Sequence, residues 1–423
     1  YMLRPGEGVS EANLIARSGL VNFADVSSES IRAIQQMGGD LYAASKGRMW
    51  KITTAGVVTE LGTIDDGPTT LASNGSEVGI VTNGKYYLCD GSTVTPVAIS
   101  AMPEVYDITF MDGYFVLVGS TGTRNDAITI SGLYDGLTFD AGDIAFSEAD
   151  PDGAVAILRN GEDLWVFNES TYEIFYNSGN ADFPFEPRGT GSGTYGCLSS
   201  VAVALSNDMP FWIRPDGAVM MGQGYVGQNI STPEIQELIA DSTVEGMSVF
   251  TDRSHDIVAI HLKDKPAVCF DLTTGLWHER STSGEHEAWI ATSATFWNGA
   301  HYVGTLNGSI ARLDVDTYED ESVAISGQAT MKPVENAGKY FNISRLMLNF
   351  QGGRGIASGN PTAVLQTSRN GRVWSEGKER DIGGLEEYYK RAVWRNLGVF
   401  QRFQARVTIT DAIPRDIMGA SIE

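Results

Sequence analysis

The sequence predicts an all-β protein, a β-propeller of six or seven blades followed by a C-terminal antiparallel β domain. Three observations carry this. Asn-Gly and Asp-Gly dipeptides recur between short apolar runs, and such a pair is a strong hairpin signal because both turn positions take positive φ. The hairpins return at intervals of roughly 30 to 50 residues, the range of a four-stranded propeller blade. Helical periodicity surfaces only once. Two stacked β-sandwiches are the alternative arrangement. A chain of 423 residues is long for one hydrophobic core, so two or three domains are expected.

Residues 1–30 read as an N-terminal arm. Tyr1 to Val26 holds Pro5-Gly6-Glu7-Gly8 and little periodicity, as in a segment docked on the body or a neighbour, or in a disordered end. The chain opens on Tyr1 and not on Met, so the N-terminus is expected to lie upstream or to be processed. Residues 31–320 read as the propeller. Leu41-Tyr-Ala-Ala44 and Arg48-Met-Trp-Lys-Ile52 flank the turn Ser45-Lys-Gly47. Asn83-Gly84, Asp112-Gly113, Asn160-Gly161, Asp216-Gly217, Asn298-Gly299 and Asn307-Gly308 each separate two apolar runs. The single helix begins at Thr232-Pro233, a cap with Pro in the first helical position, and runs through Glu234-Ile-Gln-Glu-Leu-Ile-Ala240. Residues 321–423 read as a separate antiparallel domain with longer strands. Arg402 to Ile409 alternates, placing Phe403, Ala405, Val407 and Ile409 inward and Arg402 and Arg406 outward. Arg391 and Arg395 share a face on the preceding strand, and the four arginines are expected to form a basic assembly face.

The stretch Asp163 to Cys197 organises the rest. Leu164-Trp-Val-Phe167 is an unbroken apolar run, expected of a strand covered on both faces, and Tyr172, Ile174 and Tyr176 share one face of the next strand. A polar turn follows, then Phe183-Pro-Phe185. The order Trp165, Thr171-x-Glu173, Tyr176-Asn177-x-Gly179, Asp182-Phe183-Pro184-Phe185 and Gly196-Cys197 resembles the packaged-DNA stabilisation proteins of tailed phages, also called tail accessory or tail nozzle proteins. The resemblance extends from about Gly132 to the C-terminus, and more weakly before it. It implies a virion tail protein, assembled in the host cytoplasm, that forms a hexameric ring below the portal and its adaptor proteins. It further implies contacts with other tail proteins such as fibre, spike or needle, and transient passage of double-stranded DNA.

Charge bears on that reading. The formal net charge is −23, which argues against general adhesion to DNA or to anionic membranes, since both need clustered Lys and Arg. From Glu321 onward the chain carries 14 basic and 10 acidic residues, a net of +4, whereas the preceding 320 residues carry 16 against 43, a net of −27. An acidic body therefore bears a mildly basic C-terminal part. Cys89, Cys197 and Cys269 are odd in number and scattered, as expected of buried thiols in a reducing compartment. No stretch has the length of a membrane span and no signal peptide is visible, so no membrane insertion is expected.

Several strings invite chemistry and have plainer readings. Gly191-Ser-Gly193-Thr-Tyr-Gly196 matches a dinucleotide-binding pattern, yet Cys197 to Val203 reads as strand, so no helix N-terminus would face a pyrophosphate. All five histidines lie between His255 and His301 without metalloprotease spacing, and core histidines explain them as well as a metal would. Asp314-x-Asp316 with Glu319 to Glu321 lacks the glycine and spaced final Glu of a calcium loop. Ser368-Arg-Asn-Gly371-Arg-Val-Trp374 is similar to the Asp-box turn of sialidases, a fold-stabilising element with Asn in place of Asp. No carboxylate pair or Ser-His-Asp signature stands out. The expectation is a structural protein with no catalytic residues, cofactor or metal. The alternatives are a carbohydrate-binding or carbohydrate-acting propeller and a propeller scaffold for host proteins.

Overall fold

The structure is a computed structural model that describes residues 13–423 apart from positions 149, 182, 285, 352, 354–359 and 389. Seven sheets are set around an axis, six of four antiparallel strands and a seventh of six. Their innermost strands are Ile31–Met37, Thr69–Ser73, Glu104–Met111, Ala154–Asn160, Val203–Ser206, Val244–Asp252 and Ala291–Trp297. Each touches the next and the seventh packs on the first, so the ring is closed and the blade count is seven.

The second strands of the blades are largely buried on both faces because each sheet is covered by its two neighbours. Their sequences are therefore continuous apolar runs and not alternating ones. Phe115, Val116, Leu117 and Val118 are consecutive and all buried; Phe115 and Leu117 join one inter-blade cluster, Val116 and Val118 the next. Asn83-Gly84, Asp112-Gly113 and Asn298-Gly299 take positive φ at both positions (50° and 77°, 52° and 92°, 45° and 76°), the geometry a two-residue hairpin requires. Five of the innermost strands, in blades 1, 3, 4, 6 and 7, carry a β-bulge near their start. The extra residue increases local twist, which helps each inner strand splay from the axis. The helix Pro233–Ala240 follows the predicted cap, with Thr232 Oγ1 accepting from the Ile235 amide, and it buries Ile239 beside blade 5.

The expected N-terminal arm is corrected in part. Gly19–Asp25 is the fourth strand of blade 7, paired antiparallel with Ser309–Asp314, and Glu319–Asp320 and Val323–Ala324 extend the sheet beyond it. A shift in register between Asn22 and Ala24 breaks the two-residue period, which is why this strand is not legible as one. Residues 1–12 of the arm lie outside the described residues.

The C-terminal domain is a sandwich. One sheet joins Gly327–Thr330, Arg402–Ile409, Thr362–Ser368 and Lys378–Asp381, with Val334–Glu335 also on the Arg402 strand. The other joins Arg391–Phe400, Phe341–Phe350 and Ile417–Ile422. Leu346, Leu365, Trp394, Phe403 and Val407 meet in one core between them. The inward alternation of Phe403, Ala405, Val407 and Ile409 is as the sequence predicts.

Candidate functional site

The marked stretch lies in blade 4 and in its connection to blade 5. Trp165 is fully buried, with ring centroids of Tyr172, Phe167 and Trp212 at 5.1, 5.9 and 6.0 Å. Thr171 ties the hairpin turn back to the inner strand, since its Oγ1 donates to Asp152 and its amide donates to the same carboxylate at 3.0 Å. Buried Glu173 accepts from Ser147 Oγ and from the Glu148 amide, both at 3.1 Å, and so fastens blade 3 to blade 4. Tyr176 lies under the Arg188 guanidinium at 4.8 Å. Asn177 donates to Asp112 at 2.9 Å, and its Oδ1 receives the amide of Gly179, which sits at φ +72°. Phe185 packs edge-on to Tyr114 and to Phe183. The Pro184 carbonyl accepts from the Ser178 amide. Gly196 cannot be replaced cheaply, because a Cβ there would lie 2.2 Å from the Glu169 carbonyl oxygen. The Cys197 amide donates to the Asn168 carbonyl, and burial pushes its thiol up to about 12. Asp182 lies outside the described residues. These residues form a joint between blades, with no exposed nucleophile or free acid among the contacts described.

The axial cavity, about 390 Å³, is lined by inner strands of all seven blades, with Thr70, Leu71, Thr109, Ser293 and Val201 among its walls. Asp107 sits at the bulge of blade 3 and is almost wholly buried. Its carboxylate accepts from the Ile108 and Ile157 amides, both at 2.8 Å, and so bridges blades 3 and 4. Burial pushes its pKa up to about 7 despite those two donors. Sequence reasoning missed Asp107; an Asp inside the apolar run Val105 to Phe110 is its only local signal. Both carboxylate oxygens are engaged by backbone, so the group is a strut and not a poised acid.

The remaining strings take structural roles. His255 Nδ1 faces Asp271 at 2.8 Å, His261 Nε2 meets Ser248 Oγ at 2.7 Å, and His301 Nε2 accepts from the Thr251 amide. Burial pushes His261 down to about 4. Among the described residues, no three His, Cys, Asp or Glu side chains are grouped as a metal site. The glycine-rich string spans the end of the strand Phe185–Gly193 and a turn, and no helix follows it. In the Ser368 turn, Ser368 Oγ receives the amides of Asn370 and Gly371 and donates to the Val373 carbonyl. No helix among the described residues is long and apolar enough to cross a membrane.

The expected single basic face is corrected. Arg391 and Arg395 lie on the three-stranded sheet, and Arg402 and Arg406 lie on the other. The chain crosses from one sheet to the other around Gln401, so the two pairs have different outer faces. Arg402 pairs with Glu335 at 3.3 Å. Arg406 donates to Gln366 Oε1 at 2.8 Å and covers the Trp374 ring at 4.5 Å. Arg391 and Arg395 are exposed, with Arg395 opposite Arg345 across the strands.

A closed propeller fused to a sandwich, with its most distinctive residues committed to joining blades, defines an all-β, two-domain structural architecture. Residues 5–318 match the bacteriophage P22 Gp10 β-propeller family and residues 328–423 match the bacteriophage P22 Gp10 β-sandwich family. The chain belongs to the Gp10 family of phage packaged-DNA stabilisation proteins and is a bacteriophage structural protein, a component of the virion. Among solved structures, the chain is similar to the computationally designed Ika8 protein at 13% identity and TM-score 0.43, over 69% of this chain and 99% of that one. It is likewise similar to YCF48 from Cyanidioschyzon merolae at 11% identity and TM-score 0.45, over 70% of this chain and 98% of that one. No curated protein matches.

Proposed function

We propose that the chain is one subunit of a closed tail ring that sits below the portal and its adaptor proteins. The ring plugs the channel after packaging and conducts DNA at ejection. The observation that carries this reading is the family match over both domains. Charge supports it. A body of net −27 repels phosphates and lets a duplex slide without adhering, while the +4 C-terminal part can meet acidic neighbours. Exposed apolar side chains offer contact surface, among them Leu133, Tyr134 and Leu137 after the third strand of blade 3 and Tyr340 and Tyr388 on the sandwich. The ring is a hexamer of identical subunits, in which each contact repeats by symmetry. Its further partners are other tail proteins (fibre, spike or needle), and its role is not enzymatic.

Imaging of the purified protein, alone and with its portal–adaptor platform, tests the ring. A closed ring with an axial hole is expected in at least one condition. A monomer in both, together with absence from purified particles, would overturn the proposal.

A further inference from the structure

The seam between propeller and sandwich holds more positive than negative charge. Arg17 donates to both oxygens of Asp320, at 2.9 and 2.5 Å, and to the Ser281 carbonyl. Arg280 donates to Asp252 at 3.1 Å, and that carboxylate also receives Ser18 Oγ at 2.5 Å. Arg253 lies 3.7 Å from Asp416, whose Oδ1 accepts the Ala16 amide at 2.8 Å. Three guanidinium groups thus face three carboxylates. Arg415 is the fourth guanidinium. It is 6% exposed, and its Nη1 has no hydrogen-bond partner among the described residues. Burial, followed by the field of Arg17, pulls its pKa down to about 10 against the opposing carboxylates of Asp320 and Asp416, so it remains charged at neutral pH. His278 beside it is driven well below its usual value by burial and by Arg280 and Arg17, so it stays neutral and adds no compensation. Glu279 also lines the space but is exposed.

Arg415 opens onto a cavity of about 350 Å³ between the domains, walled by Leu14, Ile325, Val407, Ile409 and Ile417. A buried guanidinium with an unsatisfied donor is destabilising unless something accepts from it. Its planar fork suits an oxyanion, and a carboxylate or phosphate can take two parallel N–H bonds.

We propose that this cavity binds an oxyanion on Arg415, and that occupancy fastens the sandwich to the propeller. Arg415 comes from the sandwich, while Arg17, bonded to Ser281, leads into the closing strand of blade 7. A ligand in the cavity therefore touches both domains. The site stands independently of the ring proposed above, because it lies within one chain.

The test uses the full chain and two probes: inorganic phosphate against chloride at matched ionic strength, and a blocked Gly-Glu-Gly peptide against its Gln counterpart. Calorimetric binding and a saturable rise in the unfolding midpoint are expected for at least one probe. Response to phosphate identifies a free anion, and response to the peptide alone identifies an acidic side chain of a neighbouring protein. Arg415→Met should lower affinity by about tenfold or more. If that variant does not fold, Ala329→Phe, which fills the cavity and leaves Arg415 in place, should abolish binding. No specific response to either probe, or an undiminished response in both variants, would overturn the proposal.

Discussion

The propeller and the sandwich bury their apolar residues in different ways. In the propeller, successive side chains of one strand enter different clusters, as Val116 and Leu117 do on opposite faces of blade 3. In the sandwich, the buried side chains of both sheets enter one core. The propeller is further closed by a strand from the start of the chain, whereas the sandwich has open edges. A defect in the propeller is therefore shared around a ring, and a defect in the sandwich reaches every strand of that domain. The two regions also differ in charge, −27 against +4, so they respond differently to salt and to partners.

Replacing one large buried residue in each region should expose this difference most strongly. Trp394→Ala and Trp165→Ala each delete a fully buried indole and should cost about 3–5 kcal/mol. Calorimetry of Trp394→Ala should split off an early sandwich transition with the propeller peak retained. Trp165→Ala should lower the propeller peak as a unit. A single shared transition in both variants would mean that the seam couples the domains into one cooperative body.

Ring closure gives the next effect. Leu20 in the closing strand is 1% exposed, and Leu20→Ala should cost about 2–4 kcal/mol. Hydrogen exchange should quicken first in blade 7 and then in blades 1 and 6, its neighbours. Acceleration confined to Gly19–Asp25 would show that the ring holds without its latch.

Asp107 has a smaller, pH-dependent effect. Its folded pKa of about 7 lies above the ordinary 3.8, so the protonated form suits the fold better. Its contribution to stability is full below about 4 and is lost as pH rises towards 7. Between pH 5 and 8 the loss is about 2–3 kcal/mol. Urea midpoints of the wild type should fall over this range by more than those of Asp107→Asn, which removes the titration. Parallel pH profiles for the two proteins would refute this reading.

The arginine pairs should affect stability least. Arg391→Glu with Arg395→Glu changes exposed groups and should shift stability by about 0–1 kcal/mol. Arg402→Glu with Arg406→Glu should cost somewhat more, because Arg406 loses Trp374 and Gln366. Occupancy in purified particles decides which outer face meets a neighbour. On the assembly reading at least one pair lowers occupancy, whereas normal occupancy for both would place both faces in solvent.

What the sequence by itself determined is local. Positive-φ turns at Asn83-Gly84 and Asp112-Gly113, the Thr232 cap and the alternation of Phe403 to Ile409 need only a few neighbouring residues, and the structure has each of them. The family motif was legible too, since Trp165 to Cys197 is a distinctive string. Only tertiary structure decided the rest, because strand partners far apart in the chain leave no local mark. Gly19–Asp25 finds Ser309–Asp314 across almost the whole propeller, and its bulge hides the alternation that would have announced it. Arg395 and Arg402 are seven positions apart yet belong to different sheets, since a strand's face depends on which sheet it joins. The charges of Asp107 and Arg415 acquire meaning only once neighbouring strands have removed the water around them.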